Sequence, residues 1–158
     1  MFNLFKKKKI KIGSPCQGEV IALNTVNDPT FAQEMIGKGV AVKPTDGKIY
    51  SPVNGTVSMI FPTLHAVGLQ SEEGVELLVH VGIDTVNLKG EGFKGHVQMG
   101  NTVKMGDLLL EADLDAIKNA GYDTVIPVVV TNTPDFKSID GVTGKSVQPK
   151  DTIMEIEK

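Results

Sequence analysis

The feature that most constrains the fold of this chain is repetition. Ile12-x-Ser14-Pro15-x-x-Gly18-x-Val20 recurs as Ile49-x-Ser51-Pro52-x-x-Gly55-x-Val57, each copy a short turn feeding an apolar strand. A second pair follows. Gly100-x-x-Val103-x-x-Gly106-Asp107-x-Leu109-x-Glu111 is echoed by Gly144-x-x-Val147-x-x-Lys150-Asp151-x-Ile153-x-Glu155. Two pairs of related strand units imply an internally duplicated β architecture with a pseudo-twofold; they are too few and too unequal for a solenoid. Seventeen glycines and eight prolines, spread along 158 residues, provide the turns that many short strands require. Helix signals are confined to Asp28-Pro29, opening a turn through Phe31 to Ile36, and Leu114 to Asn119, stopped by Gly121. The expected fold is all-β: an antiparallel sandwich or flattened barrel with a duplicated motif and one or two short helical turns.

Composition narrows the chemistry. A net charge of −3 gives no footprint for nucleic acid. The single cysteine, Cys16, cannot staple the fold, which points to a reducing compartment and a small buried side chain. All sixteen basic residues are lysine, so any phosphate handled here is gripped by imidazole, hydroxyl and backbone N–H groups, or by an arginine from a partner. Residues 1–11 read as a flexible basic arm whose contact with a membrane is at most peripheral, through Phe2, Leu4, Phe5 and the lysines. No apolar segment follows those lysines to form a signal. The remaining 12–158 reads as one domain, cytoplasmic in location.

Two motifs are decoys. Gly90-x-Gly92-x-x-Gly95 fits the dinucleotide fingerprint, but the turn-rich stretch after it shows no helical period. Gly144-Lys145-Ser146 resembles the end of a phosphate-binding loop, yet Ile139 stands where that loop requires its first glycine.

The histidines carry more information. Phe61 to Leu69 and Val75 to Ile83 are apolar runs separated by Ser71, Glu72, Glu73 and Gly74, the pattern of a hairpin. With the loop centred between Glu72 and Glu73, Leu69 faces Glu76, Val67 faces Leu78, and His65 faces His80. Directly opposed side chains stand about 4.5 to 5.5 Å apart at Cβ, so two imidazoles could share one small ligand. A slip of one residue would put His65 opposite Val79 or Val81 and carry the rings to opposite faces. Thr63 shares the face of His65 and can fix its tautomer. Along the second run Leu77, Val79, Val81 and Ile83 enter the core, leaving Leu78, His80, Gly82 and Asp84 on the other face. Glycine at 82 leaves room beside His80 for a bulky group or a partner's backbone. His96, in a glycine-rich loop, reads as an unaccompanied surface residue.

Gly74-x-x-Leu77-Leu78-Val79-His80-Val81-Gly82-Ile83-x-Thr85-Val86 resembles the signature of the glucose-type IIA component of the bacterial phosphoenolpyruvate-dependent sugar phosphotransferase system. Matching stretches include Phe61-x-Thr63-x-His65-Ala66, Gly37-x-Gly39-Val40-Ala41-Val42-Lys43-Pro44 and Leu88 to Phe93, and the likeness covers nearly everything after Lys11. The resemblance implies a β-sandwich phosphoryl carrier without cofactor, an enzyme component passing through a phosphohistidine. It implies that His80 accepts the phosphoryl group from the carrier HPr and passes it to a cysteine of a IIB component during sugar uptake. His65 would stabilise the group and Thr63 would orient His65. An apolar rim for both partners would comprise Phe31, Val40, Phe61, Leu78 and Val86, with Asp84 as its charge. Pro62 and Asn87 stand where enteric relatives carry acidic residues, which sets apart the regulatory contacts of those relatives.

Two other classes compete. A zinc-dependent hydrolase would use His65, His80 and Asp84, and the two imidazoles could bind zinc adventitiously. The paired His-x-His of zinc peptidases that share a similar duplicated β motif is missing, however, and His80 and Asp84 lie about 13 Å apart along a straight strand. A biotinyl or lipoyl carrier is suggested by Val103-x-x-Gly106-Asp107, but Lys104 sits within the repeated strand unit and not at a hairpin tip.

Overall fold

A computed structural model describes residues 9–158. Its strands are β1 (Ile10–Gly13), β2 (Gly18–Ala22), β3 (Lys38–Pro44), β4 (Lys48–Tyr50), β5 (Gly55–Ile60), β6 (Ala66–Ser71) and β7 (Glu76–His80), then β8 (Phe93–Gly95), β9 (Thr102–Val103), β10 (Leu108–Ala112), β11 (Ile126–Val130), β12 (Ser138–Gly141), β13 (Lys145–Val147) and β14 (Thr152–Glu157). Helix α1 (Pro29–Ala32) starts where Asp28 caps the amide of Thr30, and α2 (Leu114–Asn119) starts where Asp113 caps that of Ala116. Helix α2 spans the residues its signals mark, whereas α1 starts at Asp28-Pro29 as expected but ends at Ala32, short of Ile36. All pairings are antiparallel. One eight-stranded sheet runs β13-β2-β3-β11-β7-β6-β5-β9, and two three-stranded sheets run β1-β14-β12 and β4-β10-β8. Among the described residues no sheet closes into a barrel, so the sandwich is the architecture adopted.

The repeats become a pseudo-twofold whose halves mirror each other across the β11–β7 junction. The amide of Gly13 donates to the carbonyl of Pro52 (2.9 Å), and in return that of Tyr50 donates to Pro15 (2.7 Å). Ser14 N–H donates to Asp151 O, Ser51 N–H to Asp107 O. The buried Ser14 hydroxyl donates to Cys16 O and accepts from Cys16 N, while that of Ser51 does the same with Val53. The repeated serine and proline of each copy are therefore held by hydrogen bonds that their counterparts duplicate.

The main core fills the sandwich, joining Ile12, Ile49, Leu109 and Ile153 of the small sheets to Val20, Val57, Val79 and Val128 of the large one. A smaller apolar cluster covers the other face of the large sheet: Leu23, Val26 and Phe31 pack on Ala41, Val129, Ile83 and Val125. Ile83 thus joins the outer cluster and not the main core, because the chain reverses at Gly82 before reaching it. The basic arm expected over 1–11 is shorter than that at its inner end. Ile10 is buried, and Ile10 and Lys11 pair with Ile156 and Glu155. Residues 1–8, with their expected membrane contact, lie outside the described residues.

Candidate functional site

The hairpin that carries the histidines closes one residue later than its sequence indicates. Gly74 takes a φ of +90°, its amide donates to Ser71 O, and Ser71 N–H donates to Val75 O. Glu72, Glu73 and Gly74 thus form a three-residue loop, the kind in which glycine in the left-handed region ends a turn. The register follows: Ala66 faces His80, Val67 faces Val79, Gly68 faces Leu78 and Leu69 faces Leu77. His65 does not face His80 across the ladder; its carbonyl accepts from Val81 N–H at 2.6 Å.

The rings meet all the same. His65 lies before β6, in a link from Phe61 to Ala66 where Leu64 N–H donates to Phe61 O and Leu64 has a φ of +61°. Off the strand, its side chain is released from pleat alternation. His65 and His80 stand edge to face, with ring centroids 5.0 Å apart and an interplanar angle of 80°. Phe31 packs on His80 at 5.0 Å and Phe61 on His65 at 5.1 Å. The Thr63 hydroxyl contacts His65 Nδ1 at 2.6 Å.

His80 sits on β7 beyond Leu78, on the outer face of the large sheet. Its Nδ1 lies 2.7 Å from the Gly82 carbonyl. A carbonyl can only accept, so Nδ1 carries the proton, and in the neutral ring Nε2 keeps a free lone pair. Burial pushes the pKa of His80 down; the Gly82 carbonyl, Asp28 and Asp84 oppose that shift. Burial, and secondarily His80, lower His65 to about 4. Both imidazoles are therefore neutral near pH 7.

The remaining rim residues divide. Leu78 and Phe61 are half-buried beside the rings, Val86 is 47% exposed, and Asp84 is exposed at the entry to a 3₁₀ turn over Thr85–Leu88. Phe31 is buried but supports His80 directly. Val40 does not belong to this surface. It pairs with Val128, which pairs with Val79, so strand alternation turns it into the main core, away from the face of His80 and Leu78. Nor does Gly82 leave space for a visitor: a Cβ there would come within 2.5 Å of Thr85 Cγ2 and 3.0 Å of Asp123 O. The missing side chain makes room for Thr85. His96 has a companion after all, with Nε2 2.7 Å from Glu111 Oε2 at the surface.

Asp28 was legible only as a helix cap, and its charge bearing on His80 emerges from the fold. Among the described residues no three His, Cys, Asp or Glu side chains are placed to hold a metal ion. His65, His80 and Asp84 thus do not converge as a zinc hydrolase requires, since the turn at Gly82 and the left-handed Asp84 send that carboxylate to solvent. No helix among the described residues is long and apolar enough to cross a membrane.

The sequence profile of the family described as phosphoenolpyruvate-dependent sugar phosphotransferase system, EIIA 1, matches residues 10–136. The chain belongs to that family. It is 43% identical to a glucose-specific EIIA component of Oceanobacillus iheyensis, over 89% of this chain and 88% of that one. It is 51% identical to a β-glucoside-specific EIIBCA component of Dickeya chrysanthemi, covering 85% of this chain but 21% of that longer protein. The solved structure of glucose permease IIA from Mycoplasma capricolum superposes with a TM-score of 0.87 at 36% identity, over 96% of this chain and 97% of that one. As an EIIA component the chain is a phosphotransferase component of sugar transport, built on the IIA sandwich.

Proposed function

We propose that this EIIA chain acts as a phosphoryl carrier through His80, using residues 12–158 as one domain. The observation that carries the reading is the proton held on His80 Nδ1 by the Gly82 carbonyl, which leaves Nε2 as the nucleophile. The lone pair of Nε2 forms a bond to phosphorus of phosphohistidine on HPr as the bond from phosphorus to the HPr nitrogen breaks. In the second step a cysteine thiolate of a IIB component takes the phosphoryl group, and Nε2 recovers its lone pair. His65, with Nδ1 held by Thr63, presents Nε2–H to a phosphoryl oxygen. Phe31, Phe61, Leu78 and Val86 exclude water around an in-line transfer whose catalysis is chiefly positioning and electrostatics. Asp84 marks the charged edge of that rim.

Fusion of the same domain to IIB and IIC parts in relatives described as EIIBCA and EIICBA components supports a IIB partner. Those relatives' names support glucose or a β-glucoside as the sugar. HPr follows from the family's chemistry, and the reaction belongs in the cytoplasm, where both carriers work. Incubation with phosphoenolpyruvate, enzyme I and HPr should add one acid-labile phosphate, read by intact mass. His80→Ala should accept none; a labelled His80→Ala protein would remove His80 as acceptor.

A further inference from the structure

Two consecutive peptide units carry the carbonyl that orients His80, and each is fixed at both ends. In the Val81–Gly82 unit the carbonyl accepts from the Thr85 hydroxyl at 2.6 Å and the N–H donates to Val125 O at 3.0 Å. In the Gly82–Ile83 unit the carbonyl accepts from His80 Nδ1 at 2.7 Å and the N–H donates to Asp123 O at 3.0 Å. Three of these four anchors are backbone groups or the imidazole itself. Thr85 is the remaining one, a fully buried side chain whose Cγ2 also occupies the space next to the Cα of Gly82. The N–H of Val81, in the preceding peptide unit, donates to His65 O, so Val81 is bonded on one side to the His65 segment and on the other to Thr85.

We infer that Thr85 is a positioning residue for phosphoryl transfer, its hydroxyl locking the Val81–Gly82 peptide so that the Gly82 carbonyl keeps the proton on His80 Nδ1. Gly82, at a φ of +83°, lacks the side chain that would otherwise restrict its rotation. Without the hydroxyl the Val81–Gly82 peptide can turn, the Gly82 carbonyl swings off Nδ1, and the proton divides between the two ring nitrogens. The fraction of His80 with a free Nε2 lone pair falls accordingly.

This inference rests on His80 being the acceptor, and its test separates the two ideas. Long-range 1H–15N spectra of the full chain report the His80 tautomer without any phosphoryl transfer. The parent protein should show the Nδ1–H form alone. Thr85→Val, which keeps both branches on Cβ and removes only the hydroxyl, should show both tautomers and slow phosphorylation by HPr by roughly tenfold or more. Thr85→Ser, which restores the hydroxyl, should return the single tautomer and most of the rate. Should Thr85→Val fail to fold, Thr85→Ala with the same spectra replaces it. A single Nδ1–H tautomer in the hydroxyl-free variant overturns the inference, as does a mixture in Thr85→Ser. Failure of the parent protein to take phosphate on His80 would overturn the carrier reading while leaving the tautomer result standing.

Discussion

Lys150 and Gly106 occupy the same place in the two halves of the molecule, with φ of +78° and +96°. Each amide donates to the serine of its own half: Lys150 N–H to Ser14 O, Gly106 N–H to Ser51 O. The turn demands a left-handed residue, and only one copy supplies glycine. An L side chain in that region costs about 1–2 kcal/mol, offset in part by the 0.5–1 kcal/mol that glycine loses in folding entropy. Lys150→Gly should therefore raise stability by up to about 1 kcal/mol, measured as a higher denaturation midpoint with an unchanged slope.

The paired serines give a second expectation. Ser14→Ala and Ser51→Ala each strip a fully buried turn of the hydroxyl that both donates and accepts within two residues. Each change should destabilise by about 1–3 kcal/mol, because backbone groups are left unpaired. Denaturation of the two variants should give similar losses; a large loss in one and none in the other would contradict the equivalence of the halves.

Gly82→Ala combines a left-handed φ with a Cβ 2.5 Å from Thr85 Cγ2. It should cost about 2–4 kcal/mol in chemical denaturation. Any folded fraction should take phosphate slowly, since the Gly82 carbonyl cannot keep its place under His80.

Stability should fall as the solution is acidified below neutrality. His65 titrates at about 4 in the folded chain against an ordinary 6.5, and burial lowers His80 as well. Between those values the unfolded chain binds more protons, so the stability from neutral His65 is complete above about 6.5 and declines as pH falls toward 4. On the order of 1–2 kcal/mol should be lost after solvent screening, read from denaturation midpoints across that range. His65→Gln should flatten the curve.

The same variant separates accepting from handing on. A phosphoryl dianion beside His65 raises the proton affinity of its ring, and glutamine cannot take that proton. His65→Gln should still acquire one phosphate from HPr, yet pass it to IIB roughly 100-fold more slowly. Sugar phosphorylation at the parent rate would count against the role assigned to His65.

The repeats made the duplicated sandwich legible because each repeated serine, aspartate and glycine meets a backbone demand that recurs by symmetry. His80 was legible through strand alternation, and the helical turns through Asp28, Pro29 and Gly121. What escaped depends on backbone conformation that composition does not encode. Gly74 in the left-handed region adds a residue to the hairpin loop, and Leu64 takes His65 off the strand. The two departures compensate, so the rings meet at 5.0 Å in a register that strand geometry alone would have kept apart. Val40 was misplaced because its face depends on the pairing of β3 with β11, remote in sequence. Thr85 gave no local sign of its bond to Val81.

The reciprocal bonds between Gly13 and Pro52 and between Tyr50 and Pro15 have the form of an isologous subunit contact, closed here within one chain. In a pair of identical subunits every substitution is made twice, at both ends of the axis. Joined in a single polypeptide, the halves are free to diverge: β7 ends on the half-buried imidazole of His80, while its counterpart β11 keeps five buried residues, Ile126–Val130. Asymmetry of this kind lets one half specialise in chemistry while the other preserves the shape that both require.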